Sequence, residues 1–335
     1  MTSSSATRLV TTASFDLLEV TLDLRSTDLP FVEEFRTVFG GDRNSDGTGL
    51  EPVTLHAVVE APDESGWGTV SVRGDALADP AAFLLGFSSP TIPLRATAAS
   101  TSGWSALALG DDPAPMFEFH DGLCRFRDVS RWRRIVAHYL FLRMIALRQE
   151  LLFFHAASVG IGDQGVLLIG PKGSGKSTLA LGLAARGHLY LGDETAAYVP
   201  SERRLLPFRR PAGIKPGPRA EAVERALTRC SPRRDEEGIL RVDADELLQL
   251  APPRPAEIRA VVFLTGFDQQ PRLDRITAGR DELALMQPMA TTLSNAPATS
   301  RVFEMIRLLA SVTCYRMTLG HPDQSVELLE EVFAR

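Results

Sequence analysis

The sequence predicts an α/β chain in two parts: a smaller β-rich (α+β) domain over residues 1–128, then an α/β domain over residues 129–335. Three observations predict it. Short runs with a period of two dominate the N-terminal third. The period turns helical over Arg131–Glu150, where Trp132, Ile135, Val136, Tyr139, Leu142, Met144 and Ile145 recur with arginines between them. Beyond that, an apolar run, a glycine-rich loop and an Ala/Leu-rich helical segment follow one another, the order from which α/β domains are built. A length of 335 residues exceeds the usual size of one domain.

Each element has its own signal. Residues 1–7 are rich in Ser and Thr and read as frayed. Phe15–Arg25 reads as one strand with Leu18, Val20, Leu22 and Leu24 on one side. Pro30–Phe39 reads as a short helix and Asp42–Thr48 as a polar loop. Val53–Glu60, Gly68–Val72, Met116–His120 and Leu123–Arg127 read as strands, the last two joined by the hairpin signal Asp121-Gly122. Nothing in this third attaches to chemistry.

In the second part, Arg131–Glu150 reads as a core-packing helix bridging the two halves. Leu151–Phe154, Gly165–Ile169, Leu189–Leu191 and Thr195–Val199 read as strands, with a helix over Leu179–Arg186. A basic, Pro-rich segment spans Pro207–Pro218, and the charged stretch Arg233–Glu246 reads as a solvated connection. Ile258–Leu264 reads as a buried strand, Phe303–Val312 as a helix and Tyr315–Leu319 as a strand. The closing helix Ser325–Phe333 sets Val326, Leu329 and Val332 on one face.

Composition narrows the functional classes. An apolar fraction of 44% supports a sizeable core, and a net charge of −6 with a pI near 5.6 argues against a general binder of nucleic acid or anionic membranes. Apolar runs such as Ala260–Leu264 fall far short of the roughly 20 residues of a membrane span. Cys124, Cys230 and Cys314 show no metal spacing and read as thiols of a reducing cytoplasm. No secretory signal opens the sequence, so the expected location is cytoplasmic. A homo-oligomer is compatible with these properties.

The chemistry concentrates in Gly170-Pro171-Lys172-Gly173-Ser174-Gly175-Lys176-Ser177, followed by Thr178. This fits the phosphate-binding pattern of a glycine, four free positions, Gly-Lys and Ser or Thr, set between a strand and a helix. Gly173 and Gly175 let the backbone bend so that N–H groups point into one hollow, and the helix N-terminus adds partial positive charge. Lys172, Ser174 and Thr178 belong to the same cradle. The expected ligand is ATP with Mg²⁺. Lys176 reaches the β- and γ-phosphates, and the Ser177 hydroxyl ligates the metal.

Asp193 and Glu194 follow Lys176 by only seventeen and eighteen residues, at a strand end. A carboxylate beside the phosphate hollow can hold Mg²⁺ or accept the proton of an attacking hydroxyl. The short spacing disfavours motor ATPases, whose acidic strand end comes much later. His155 ends the strand Leu151–Phe154. Taken alone, a histidine there is more often a satisfied core side chain than a catalytic one.

These residues carry a resemblance. His155-Ala156-Ala157-Ser158-Val159, the loop Gly170–Thr178 and Arg186-Gly187-His188-Leu189-Tyr190-Leu191-Gly192-Asp193-Glu194 resemble the C-terminal kinase domain of HPr kinase/phosphorylase. The likeness is closer to the HPr-kinase-related kinases that share that domain without acting on HPr. Leu206-Pro207-Phe208-Arg209-Arg210-Pro211-Ala212-Gly213-Ile214-Lys215 has the form of their Pro-rich segment, and the closing strand around Cys314–Gly320 and terminal helix also resemble theirs. The resemblance is strong over residues 151–216, extends over 255–335, and in the N-terminal third covers only a general strand-then-helix opening.

The resemblance implies a P-loop kinase domain of HPr-kinase type. It implies Lys176 and Ser177 as phosphate and Mg²⁺ ligands, and Asp193 as the base for the acceptor hydroxyl. Glu194 would support the metal, with Asp193 beside it, and His155 would position the reacting groups. Arg210 and Lys215 are candidates for phosphate contacts, and equally solvated loop side chains. Two departures disfavour HPr as substrate and put phosphorylase activity in doubt. Thr178 stands where true HPr kinases carry glutamate, and their Glu-Ile-Arg-Gly-Leu-Gly signature has no match. The expected function is a Mg-ATP-dependent kinase for a serine-type hydroxyl on a peptide or small protein. A small-molecule hydroxyl kinase and a non-catalytic nucleotide-dependent binding protein compete with it. The roughly 165 residues ahead of the loop count against the first.

Overall fold

The computed structural model describes residues 10–40, 48–74, 81, 93–97, 105–112, 114–120, 123–214, 233–248, 250, 252–291 and 298–333. The expected turn at Asp121-Gly122, most of the loop Asp42–Thr48, Cys230, Lys215 and the end of the Pro-rich segment lie outside these residues. The chain is a mixed α/β protein with large sheets and few helices, and it divides into two compact units. No helix among the described residues is long and apolar enough to cross a membrane.

The first unit is built on an eight-stranded sheet. In chain order its strands are β1 Thr11–Leu17, β2 Val20–Ser26, β3 Val53–Glu60, β4 Trp67–Arg73, β5 Leu94–Ala96, β6 Ser105–Leu109, β7 Pro115–His120 and β8 Leu123–Arg127. They lie in the order β1-β2-β3-β4-β8-β7-β6-β5. β2 and β3 run parallel, joined through helix α1 (Leu29–Phe39), and the other neighbours run antiparallel. Asp28 starts α1 by accepting the Phe31 N–H at 2.9 Å.

The sequence over Phe15–Arg25 departs from the single strand expected. It folds into a hairpin, because Leu18 and Glu19 both take positive φ (51° and 58°) and turn the chain in two residues. The signal was a change of parity: Phe15 and Leu17 are buried before the turn, and Val20, Leu22 and Leu24 after it.

The boundary expected at residue 128 also moves. Helix α2 (Trp132–Ala146) belongs to the first unit, which continues to Leu147. Its aromatic face explains why. Trp132 stacks on Phe126 and Phe31 at centroid distances of 4.9 and 5.8 Å, and Phe141 stacks on Phe39 at 4.5 Å.

Residues Asp235–Glu237 pack with this unit. They face Glu34, a carboxylate on α1 that is only 7% exposed and 3.8 Å from the Arg134 guanidinium. Burial, helped by the charges of Glu236 and Asp235, pushes the Glu34 carboxyl up to about 7, against the pull of Arg134 and the Glu236 N–H. The folded carboxyl thus holds its proton more tightly than the unfolded one. The stability it contributes is complete below the ordinary carboxylate range and is lost as pH rises through about 7. Between about pH 5 and 8, unfolding free energy should fall by on the order of 2 kcal/mol from this group. Glu34→Gln should lack that slope in denaturant titrations. An unchanged slope would assign it to other groups.

The second unit carries a ten-stranded sheet. Its strands are β9 Leu152–Phe154, β10 Ala157–Ile161, β11 Gln164–Ile169, β12 Leu189–Gly192, β13 Ala196–Val199, β14 Arg204–Leu206, β18 Ala256–Phe267, β19 Arg272–Ile276, β20 Ala290–Thr291 and β21 Thr313–Leu319. The main path runs β12-β10-β11-β18-β14-β13-β9-β20, with β21 on β18 and β19 on β21. β11, β18 and β21 run parallel at its centre. Both faces are covered, so β11 and β18 read as continuous apolar runs. Val166, Leu168, Ala260, Val262 and Leu264 face helices α3 (Lys176–Ala185) and α7 (Pro322–Phe333). Leu167, Ile169, Val261 and Phe263 face α5 (Arg280–Met286) and α6 (Ala298–Ser311). On α7 the third buried apolar residue, after Val326 and Leu329, is Phe333, and the expected Val332 is 40% exposed, because the helix turns the last contact one position onward.

The charged stretch Arg233–Glu246 is more than a solvated connection. It forms β16 Arg233–Arg234 and β17 Leu240–Val242, which make a three-stranded sheet with β15 Ala212–Ile214 in the order β15-β17-β16, and it enters the short helix α4 (Ala244–Leu248). Alternation with apolar Leu240 and Val242 draws Arg241 into the interior, where it is 5% exposed.

Candidate functional site

The loop 170–175 leaves β11 at the centre of the sheet and delivers the chain to α3 at Lys176. Gly175 is favoured by its backbone, and a side chain there would have to displace Leu319. The Gly175 φ is +94°, and a Cβ there would come within 2.5 Å of Leu319 Cδ1. Helix α3 has no side-chain N-cap and no acid in its first turn, which leaves its positive end facing the loop. Lys176 is 6% exposed and closes the loop, donating from Nζ to the carbonyls of Gly170 (2.7 Å) and Pro171 (3.1 Å). Burial lowers its pKa, while Asp193 and Glu194 act to raise it. Ser174 is buried within the loop, Lys172 is exposed on it, and Ser177 and Thr178 lie half-buried on the first turn.

β12 pairs with β10 and ends at Gly192, so the next two residues emerge beside α3. Asp193 is 3% exposed. Burial raises its pKa, opposed by the Ser177 hydroxyl and the Glu194 N–H, although Ser177 stops short of hydrogen-bond geometry and both carboxylate oxygens are enclosed. Glu194 takes a left-handed φ of 63°, a costly conformation for a non-glycine residue. Its carboxylate lies 3.5 Å from the Arg241 guanidinium and 3.9 Å from that of Arg210. Arg210 also donates to the Thr195 hydroxyl at 3.2 Å.

His155 follows β9, and its Nδ1 lies 3.0 Å from the Glu194 carbonyl oxygen. A carbonyl only accepts, so Nδ1 carries the proton and the neutral ring keeps Nε2 as an acceptor. The ring is open to solvent on one side and enclosed on the other. That enclosure, with the Lys176 charge, lowers its pKa. A neutral imidazole at pH 7 follows.

The structure therefore brings together Lys176, Ser177, Asp193, Glu194, His155 and Arg210, all expected from the sequence as site residues. It separates the two acids: Asp193 adjoins Ser177, whereas Glu194 lies against two arginines. Lys215 is outside the described residues. Arg241 was missed, since it sits in a charge run; its apolar neighbours Leu240 and Val242 were the available signal. Ser177 and Asp193 offer one hydroxyl and one carboxylate, a set that suits a Mg²⁺ ion arriving with a polyphosphate and keeping part of its water. Among the described residues no cluster of three or more His, Cys, Asp or Glu could hold a metal alone.

No protein-family model matches the chain, and no curated protein matches its sequence. Among solved structures, the HPr(Ser) kinase/phosphatase from Coxiella burnetii is similar with a TM-score of 0.29 and 16% identity, over 54% of this chain and 92% of that one. A likeness this weak carries no argument about activity.

Proposed function

We propose that the chain is a Mg-ATP-dependent kinase, with a P-loop domain of HPr-kinase type, that phosphorylates a serine-type hydroxyl on a peptide or small protein. The observation that supports it most is the meeting of the Lys176 loop with the buried carboxylate of Asp193 beside Ser177. The acceptor class rests on the sequence resemblance alone.

Bound Mg-ATP would supply the phosphoryl group. The chain's own residues would then do the following. The N–H groups of loop 170–175 and the N-terminus of α3 hold polyphosphate charge, and Lys176 exchanges its loop carbonyls for phosphate oxygens. Ser177 and Asp193 offer oxygens toward the metal. An Asp193 oxygen takes the proton of the acceptor hydroxyl as its oxygen bonds phosphorus and the bond to the leaving diphosphate breaks. A carboxylate held in a buried site with a raised pKa is the stronger base for this step. His155 Nε2, left as an acceptor, would orient the acceptor hydroxyl. Arg210 and Arg241 hold Glu194 and keep positive charge where phosphoryl charge develops.

Calorimetry of the full chain with Mg-ATP, then mass spectrometry of peptides encoded beside the gene, tests this reading. Mg²⁺-dependent binding and a phosphate on a serine are expected. A folded chain that binds no Mg-ATP would end the proposal. Binding without transfer to any hydroxyl would favour the nucleotide-dependent binding protein.

A further inference from the structure

The ring of Phe267 is 65% exposed, although it ends a strand whose preceding apolar residues are buried. Along β18 the parity is regular as far as Leu264: Ala260, Val262 and Leu264 face α3 and α7, and Val261 and Phe263 face the opposite side. Continued, that alternation would put Phe267 on the side away from α3. The register against β21 shifts between Leu264 and Gly266, and Gly266 takes a φ of +152°. This bulge moves Phe267 to the α3 side, opposite Leu319. Its Cε1 and Cζ lie 3.6 Å from where a Cβ on Gly175 would sit. The Asp268 N–H donates to the Leu319 carbonyl at 2.8 Å and holds the end of the strand. An exposed aromatic ring is thus set, by a bulge, against the glycine that opens the phosphate loop onto its helix.

We propose that Phe267 is the platform on which the heteroaromatic base of the bound nucleoside triphosphate stacks, an assignment that rests on the kinase reading above. The adjacency selects the ligand. A group held by its phosphates at Gly175–Ser177 has its base as the remaining flat apolar part, and a base offers a π-face whatever its edge. Stacking would also cover apolar surface that the fold leaves in water.

The test compares Mg-ATP with Mg-tripolyphosphate, which has the phosphates without the base, on the full chain by calorimetry. Phe267→Ala should weaken ATP about tenfold and leave tripolyphosphate unchanged, whereas Lys176→Ala should weaken both. Phe267→Trp should retain ATP affinity, and its fluorescence should respond to ATP and not to tripolyphosphate. The platform is refuted if Phe267→Ala binds ATP as the parent does, or if it loses both ligands equally. A parent that binds tripolyphosphate as tightly as ATP would refute the platform and leave the phosphate site standing. A parent that binds neither would overturn the kinase reading, and the platform with it.

Discussion

Replacing Lys176 with alanine should weaken Mg-ATP binding by on the order of a hundredfold, as charge-assisted hydrogen bonds to phosphate are among the strongest a side chain makes. The geometry says why no neighbour can substitute. Lys176 Nζ lies over its own loop, bonded to Gly170 and Pro171 carbonyls, and is nearly enclosed. Arg210 and Arg241 are committed to Glu194, and Lys172 is exposed on the outside of the loop. Stability should change little. Burial disfavours the ammonium, as its lowered pKa records, so the loss of two bonds to carbonyls is offset by removal of a buried charge. Calorimetry with ATP, alongside thermal unfolding, separates the two effects. A variant that unfolds normally and binds Mg-ATP like the parent would show that the loop is only a turn before a helix.

How much of this was legible in the sequence depends on whether the signal is contiguous. The loop is contiguous: eight consecutive positions fix both its glycines and its lysine between a strand and a helix. Asp193 could be placed because β12 is the next strand after α3, so chain connectivity alone brings its end back to the loop. Arg241 could not, because its place depends on β17 pairing with β15 across a segment whose charges look solvated. Its neighbour Gly213 shows how close the packing is: a Cβ there would come within 2.7 Å of Arg241 Nη1 and 3.1 Å of Glu194 Oε1. Phe267 was hidden for a similar reason. Parity along β18 assigns it to the wrong face, and the bulge that corrects it is visible only in the register with β21. The boundary near residue 128 failed differently. The change of period was real, but a helix belongs to the unit its aromatic face packs against, and Trp132 finds Phe126 and Phe31. Periodicity locates elements; it does not say which core they join.

Asp193→Asn should slow phosphate transfer by on the order of 10²- to 10⁴-fold, the contribution of a well-placed general base, while ATP binding stays within a few fold. The amide keeps the shape and cannot take the proton. The sign of the electrostatics predicts that activity is not lost through unfolding. Burial raises the Asp193 pKa, so the ionised carboxylate opposes folding at neutral pH, and any stability tied to its protonation is lost as pH rises through that raised value. A neutral amide at the same place should leave the protein at least as stable at pH 7, and thermal unfolding checks this. The pH profile carries a second signature. Transfer by the parent should fall with decreasing pH as the base is protonated, and the variant's residual rate should lack that limb. Glu194→Gln should behave differently, since its carboxylate balances Arg210 and Arg241. Full transfer by Asp193→Asn, with loss in Glu194→Gln or His155→Ala, would move the base to one of those two residues.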